Sequence, residues 1–244
     1  MGRKWNNIVK KKGAADKLKG QIYTKILFEV TKAAKSGGED PSTNFLLKIA
    51  LEKCKKNNVP KDNIDRAIKK GLGGDDDGYQ EITYEGYGPN GVAIFVEAST
   101  NNVTRTVANV RVCFKKAGGT LGTSGSLQFV FNRKAVFEIP KGDLDEDDFT
   151  LEMIDAGAED IEIEDGFFCV NGPMEVFGSI SKKLEELSIT PEEATLEQVP
   201  LTFKEVDDDE TYLTIMKMVD ALEADEDVIK VYHNIEYDER FAEL

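Results

Sequence analysis

The residues best suited to chemistry in this chain are its cations, and they crowd into one segment. Arg3-Lys4-Trp5 is followed by Lys10-Lys11-Lys12, by Lys17 and Lys19, and then by Lys25, Lys32 and Lys35. Residues 1–73 hold 18 Lys and Arg against 7 Asp and Glu, a net charge of +11. The remaining residues hold 13 against 39, a net charge of −26. Cations grouped in this way neutralise phosphates and gain affinity by releasing counterions, which needs charge rather than fixed geometry. A solvated helical face is the commoner use of such residues, but it leaves three tandem lysines beside two lysine-rich helices unaccounted for. The asymmetry points to a nucleic-acid contact. Arg66, Lys69 and Lys70, with Asn63, add more side chains of the phosphate-binding kind. Trp5 has two open roles, stacking on an unpaired base or closing the first helix as a hydrophobic staple. Phe28 projects among the lysines and is read as stacking or, better, as docking on a neighbouring domain.

A second candidate contact lies further on. Asn101, Asn102, Thr104, Arg105 and Arg111 cluster at or near the start of a predicted helix, where unsatisfied N–H groups favour anions. Asn102 serves equally well as an N-cap. The run Gly118-Gly119-Thr120-Leu121-Gly122-Thr123-Ser124-Gly125-Ser126 follows. It lacks the Gly-Lys-Ser/Thr ending of a phosphate-binding loop and precedes a predicted strand, which excludes nucleotide hydrolysis. Two readings stand: backbone N–H groups that approach RNA or protein closely, or a connection in which glycine supplies positive φ.

For catalysis there is little. His233 is the only histidine and has no nucleophile motif near it, so it reads as a surface or packed structural residue. The acidic runs Asp143–Asp148 and Asp207–Glu210 precede predicted helices, where carboxylates complement the macrodipole, and match no metal-binding loop. Cys54, Cys113 and Cys169 match no metal spacing and read as free thiols of a reducing compartment. The expectation is a non-enzymatic cytoplasmic protein with no cofactor, no metal and no membrane partner; no particular oligomeric state is implied. No apolar run approaches the roughly 20 residues of a membrane span, and no apolar segment follows the basic start as in a secretory signal.

These residues need a scaffold. Apolar spacing predicts an amphipathic helix over 14–35, with Leu18, Ile22, Tyr23, Ile26, Leu27, Val30, Ala33 and Ala34 inward and lysines outward. A second helix opens at Asp40-Pro41-Ser42 and runs to about Asn57, burying Phe45, Leu46, Ile49, Ala50 and Cys54, and a third spans about 61–70 after Pro60. Gly73–Gly78 reads as a linker. Strands at 82–87 and 92–98, a helix at 101–116 and a strand at 127–131 follow. The order strand-helix-strand-strand-helix-strand over 135–200 is ferredoxin-like. A last helix, about 209–222, and strand, 228–235, supply what the preceding half-sheet lacks. The expected fold is multidomain α+β: a basic helical domain over 1–77, a discontinuous α+β domain from 78–134 and 201–236, and an α+β domain inserted at 135–200. Residues 237–244 form a loose tail.

Read together, Gly2-Arg3-Lys4-Trp5-Asn6-Asn7-Ile8, Lys56-Asn57-Asn58-Val59-Pro60-Lys61-Asp62-Asn63-Ile64, Tyr84-Glu85-Gly86-Tyr87-Gly88-Pro89, Thr100–Thr106 and Gly118–Gly122 leading into Gly125-Ser126 make a specific pattern. Over essentially its whole length the chain resembles the YebC/PmpR family of bacterial regulators and their mitochondrial translational-activator relatives. The resemblance implies a helical first domain, two α+β domains around a cleft, and a non-enzymatic role in gene expression. Members are described both as DNA-binding transcriptional regulators and as ribosome-associated factors that help elongation past difficult stretches. Many open with a Gly-His-Ser-Lys-Trp type sequence, so Gly2-Arg3-Lys4-Trp5 marks a subgroup. With no recognition helix evident, the residues lean toward ribosomal RNA, with DNA as the alternative and an acidic protein-interaction module as a third class.

Overall fold

The computed structural model of the chain describes residues 17–73, 78–236, 238, 240 and 241, with side chains from residue 22 onward. It is an α+β protein: among the described residues, three helices are followed by two antiparallel four-stranded sheets carrying helices. Residues up to 76 with 133–197 form one compact unit, and residues 77–132 with 198–244 form another.

In the first unit, α1 (Lys17–Gly37), α2 (Phe45–Lys56) and α3 (Lys61–Gly71) enclose a core of Ile26, Val30, Ala33, Leu47, Ala50, Cys54, Val59 and Ala67. Ile22, expected inward, is 37% exposed. The second helix begins later than expected. Asp40 closes a turn by accepting from Ser42 N and Oγ, and Asn44 is the cap, accepting from Leu47 N at 3.1 Å. Its Nδ2 also donates to the carbonyls of Ala33 and Gly38, both at 2.8 Å, which ties the end of α1 to the start of α2. A Cβ on Gly37 would lie 2.7 Å from the Asn44 side chain. Only glycine fits beside this lock.

The second helix has two buried faces. Leu47, Ala50 and Cys54 look into the helical core, while Ile49 and Phe45 pack against Ala135, Phe137, Phe168 and their neighbours in the second sheet. That sheet contains β4 (Phe131–Pro140), β5 (Asp160–Glu164), β6 (Phe167–Pro173) and β7 (Glu193–Pro200) in the order β5-β6-β4-β7, the ferredoxin-like arrangement. Between its strands run α5 (Glu146–Asp155), capped by Asp145, and α6 (Phe177–Glu186).

The second unit holds β1 (Gln80–Tyr87), β2 (Ala93–Thr100), α4 (Val103–Lys116), β3 (Thr120–Leu121), α7 (Asp209–Glu223) and β8 (Val228–His233). Its sheet order is β3-β1-β2-β8, antiparallel throughout. Tyr84, Ile94, Val96, Val231 and Val228 meet Val110, Phe114, Ile215 and Leu222 of the helices on one face. Past the last strand, Phe241 is buried and stacks on Tyr212 at 3.9 Å between ring centroids. The expected loose tail is therefore anchored at that residue. Two strand expectations also change. Thr120-Leu121 inside the glycine run pairs with Gly86-Tyr87, whereas residues 122–130 are turns rather than a strand from Leu127.

Candidate nucleic-acid interface

Arg3, Lys4, Trp5, Lys10, Lys11 and Lys12 lie outside the described residues, as do the side chains of Lys17 and Lys19. The cations that follow are spread over the surface of the helical segment. Lys32, Lys35, Lys48, Lys55, Lys56, Lys61, Arg66 and Lys69 are exposed, and Lys25 and Lys70 are half-buried. Lys56 pairs with Glu192 at 2.9 Å and Lys53 with Glu29 at 2.8 Å. Lys35, Lys48, Lys55, Lys61 and Lys69 have no ion pair among the described residues. Phe28 is half-buried, with Lys32 Nζ 5.9 Å from its ring centroid.

The third helix packs tightly on the first, which fixes where its cations point. A Cβ on Gly71 would fall 2.4 Å from the Thr31 carbonyl, and Thr31 Oγ1 donates to the Ala67 carbonyl at 3.2 Å. Arg66 faces outward but is held within its own helix, donating to the Asp62 carbonyl and to Asn63 Oδ1. Asp62 and Asp65 share this exposed face, so it carries mixed charge.

The second candidate cluster is organised differently. Asn102 Oδ1 accepts from Arg105 N at 3.0 Å and caps α4. Arg105 makes a two-pronged ion pair with Asp227, Nη2 lying 2.7 Å from both oxygens and Nε 3.1 Å from one. Its Nη2 also donates to Asn101 Oδ1 at 3.5 Å. Thr106 Oγ1 donates to Asp227 at 2.8 Å and lies 2.8 Å from Thr100 Oγ1. Burial pushes the Asp227 carboxyl up, but the hydrogen bonds and charge of Arg105 and Thr106 outweigh it and hold the group below the usual carboxylate range. This constellation joins α4 to the turn before β8. Thr104 and Arg111 remain on the exposed side of α4.

The glycine run is likewise engaged from within. Glu85, buried on β1, accepts from Gly125 N at 2.7 Å and Leu127 N at 2.6 Å, and its backbone carbonyl accepts from Gly122 N at 2.7 Å. Gly118 N donates to Lys115 O, Gly119 N to Phe114 O, and Ser126 N to Thr123 O. A Cβ on Gly119 would meet the Tyr87 carbonyl at 2.6 Å, and one on Gly86 would meet the Phe114 ring at 2.5 Å. The glycines thus let β1, α4 and the loop approach one another. Ser124 is exposed at the turn. The partner that sequence reasoning missed is Glu85: alternation places it on the face of β1 away from the helices, and it is buried there only because the loop covers it, so no sequence signal marked it.

His233 is fully buried on β8, its Nδ1 accepting from Ile235 N at 3.3 Å, and burial pulls its pKa down to about 4. Asp145 and Asp208 cap the helices that the acidic runs precede. Among the described residues, no group of three His, Cys, Asp or Glu side chains is arranged to hold a metal ion, and no helix is long and apolar enough to cross a membrane.

Among the described residues the architecture is a basic helical segment followed by two antiparallel sheets carrying helices, and comparison with known proteins gives it a family. Residues 3–74 match the TACO1/YebC protein N-terminal domain, and residues 79–235 match the TACO1/YebC second and third domain. The chain belongs to the TACO1/YebC family. It is 45% identical over 243 residues to a probable transcriptional regulatory protein of Persephonella marina, covering 98% of this chain and 97% of the other. A probable transcriptional regulatory protein of Hathewaya histolytica is 43% identical over 242 residues, with 98% of each chain covered. A conserved hypothetical protein of Aquifex aeolicus, known from its crystal structure, superposes with a TM-score of 0.79 at 36% identity, covering 95% of this chain and 96% of that one. The family is one of regulators by the names of its members.

Proposed function

We propose that this chain is a non-enzymatic regulator of gene expression that binds nucleic-acid backbone through its basic helical segment, with RNA as its polymer and the ribosome as its cytoplasmic place of work. The observation that carries the reading is the charge division, +11 over residues 1–73 against −26 over the rest. The acidic remainder repels phosphate and confines contact to the basic segment. It also offers a surface to basic proteins. Phosphate contacts position a protein without reading sequence, and α3 supports that mode: Arg66 is tied to its own helix beside Asp62 and Asp65. A helix that reads base edges needs such side chains free.

A second reading, a DNA-binding transcriptional regulator, is favoured by the names of the relatives. One comparison separates the two. Gentle lysis followed by gradient sedimentation should carry the protein with ribosomes, and removal of residues 1–12 should release it. In a deletion strain, ribosome pausing should change while messenger levels hold. Protection of particular promoter segments, with discrimination of about 1–3 kcal/mol per mismatched base pair, would instead establish the DNA reading.

A further inference from the structure

The two faces of the second sheet differ in chemistry. Ala135, Phe137 and Ile139 of β4, with Phe168 and Val170 of β6, pack with residues of α5, α6 and the second helix. Alternation turns the intervening strand residues to the opposite face. There the register gathers carboxylates. Glu138 lies opposite Cys169, and Cys169 opposite Glu162, so two carboxylates flank one thiol across three strands. Asp160 and Glu164 share that side of β5, each about 7 Å along the strand from Glu162. Glu193 and Glu197 share it on β7, whose Ala194 and Leu196 belong to the helix-covered core. Among the described residues, the one cation these strands place on this face is Lys134, which is paired with Glu159 at 3.1 Å.

This acidic face is not left to water. Glu138 is 2% and Glu197 1% exposed, and Val136, Cys169 and Asn171 are buried beside them. Carboxylates held so far from water call for cations near them, and like charges sharing one sheet face repel. The densest cations of the chain are within reach. Residues 1–12 hold Arg3, Lys4, Lys10, Lys11 and Lys12 with no Asp or Glu, and Trp5, Ile8 and Val9 are apolar. They precede α1, which belongs to the same compact unit as this sheet. The 16 residues before Lys17 span about 55 Å when extended, against about 40 Å across a unit of this size.

We propose that the acidic face of the second sheet is the seat of the chain's own basic segment, residues 1–16, and that this face and nucleic acid compete for the same lysines. The inference rests on the nucleic-acid reading above and adds its regulation. In the seated form Lys10, Lys11 and Lys12 neutralise sheet carboxylates, and phosphate must displace them. The affinity measured is then the intrinsic one reduced by the unseated fraction. A surface dense in phosphate opens the seat, and a sparse one leaves it closed.

The full-length chain carries its own reporter, because Trp5 is its only tryptophan. Acrylamide should quench it weakly at low salt and severalfold more strongly at high salt. Glu138→Gln, Glu162→Gln and Glu197→Gln together should give the strong quenching at low salt. They should also tighten binding of a short oligouridylate about tenfold, the gain expected when about nine molecules in ten are seated. Removing three charges from the exposed side of α5, with Asp147→Asn, Asp148→Asn and Asp155→Asn, should change neither readout by more than about twofold. Because Glu138 and Glu197 are buried, Glu162→Gln alone, at a half-buried position, repeats the test with less strain on the fold and should move both readouts the same way. Strong quenching in every variant, with oligouridylate bound equally, would overturn this inference alone. Weak quenching that neither salt nor the Glu variants relieve would hold Trp5 elsewhere and overturn it as well. Shielding that rises with protein concentration would place the segment on a second copy and overturn the intrachain seat. Shielding relieved by the Glu variants in a protein that binds no nucleic acid would leave the seat standing and overturn the reading it regulates.

Discussion

The helical segment and the motif cluster of the second unit use polar residues in opposite ways. In the helical segment, lysines such as Lys35, Lys48 and Lys55 stand exposed, and the packing beneath them depends on Val30, Leu47 and Cys54. Their charge is available, and no hydrogen-bonded geometry specifies it. In the motif cluster, Glu85, Asn102, Arg105, Thr106 and Asp227 are bound to one another or to backbone N–H groups. Their geometry is fixed, and the charges of Arg105 and Asp227 neutralise each other. A motif rich in Asn, Arg and Gly therefore can serve the fold, while a plain run of lysine carries the capacity to bind phosphate.

That contrast breaks most sharply at Asp227. Replacing it with Ala leaves Thr106 without its acceptor and the half-exposed Arg105 without its partner and should cost about 1–3 kcal/mol of stability, read as a lowered denaturation midpoint in urea. Nucleic-acid affinity at low salt should stay near that of the parent while the protein remains folded. Because the native carboxyl titrates below its unfolded value, its contribution is present above the unfolded pKa and is lost as pH falls through the folded one. The Asp227→Ala variant should lack that acid-limb loss.

His233 should add a separate acid sensitivity. Its folded pKa of about 4 lies below the ordinary 6.5, so the unfolded chain binds the proton first. Stability should be full above about pH 6.5 and decline toward pH 4, by on the order of 3 kcal/mol. His233→Phe should flatten this part of the curve, which equilibrium unfolding at several pH values would detect.

Glu85→Gln keeps one acceptor oxygen and places an NH₂ where the other accepted a backbone N–H. A loss of about 2 kcal/mol is expected, with faster hydrogen exchange at Gly125 and Leu127. Unchanged protection at both amides would contradict the clamp. The smallest effect on stability should come from the helical segment: Lys10→Glu, Lys11→Glu and Lys12→Glu together should shift it by no more than about 0.5 kcal/mol per site. The same triple variant should lower affinity for all sequences alike and reduce the dependence on salt by about three phosphate equivalents. A triple variant that binds as tightly as the parent in a low-salt titration would remove the proposed N-terminal contact.

Much of this was legible in sequence because it is local. Periodicity located α1 and α4, Pro60 and Gly71 bracketed α3, and Asn102 was readable as a cap. What was not legible depends on distant partners. Leu127-Gln128-Phe129-Val130-Phe131 has strand composition, yet Glu85, 42 residues earlier, takes the Leu127 N–H and turns the segment. Thr120-Leu121 is too short to show an alternation. Arg105 reads as an anion-binding residue until Asp227, 122 residues away, arrives beside it. Leu47 was missed because Phe45 and Ile49, which share its helix, face a different core.

The two-faced second helix also has a consequence in time. Ile49 and Phe45 need the second sheet to cover them, and that sheet is complete only when β7, Glu193–Pro200, has been made. Roughly 150 further residues must be synthesised first, which at about 5–20 residues per second takes some ~7–30 s. During that interval the basic segment emerges from the ribosome with an apolar helix face uncovered, beside a surface rich in RNA. A newly made chain is therefore stickiest at the moment it is closest to the polymer proposed as its target.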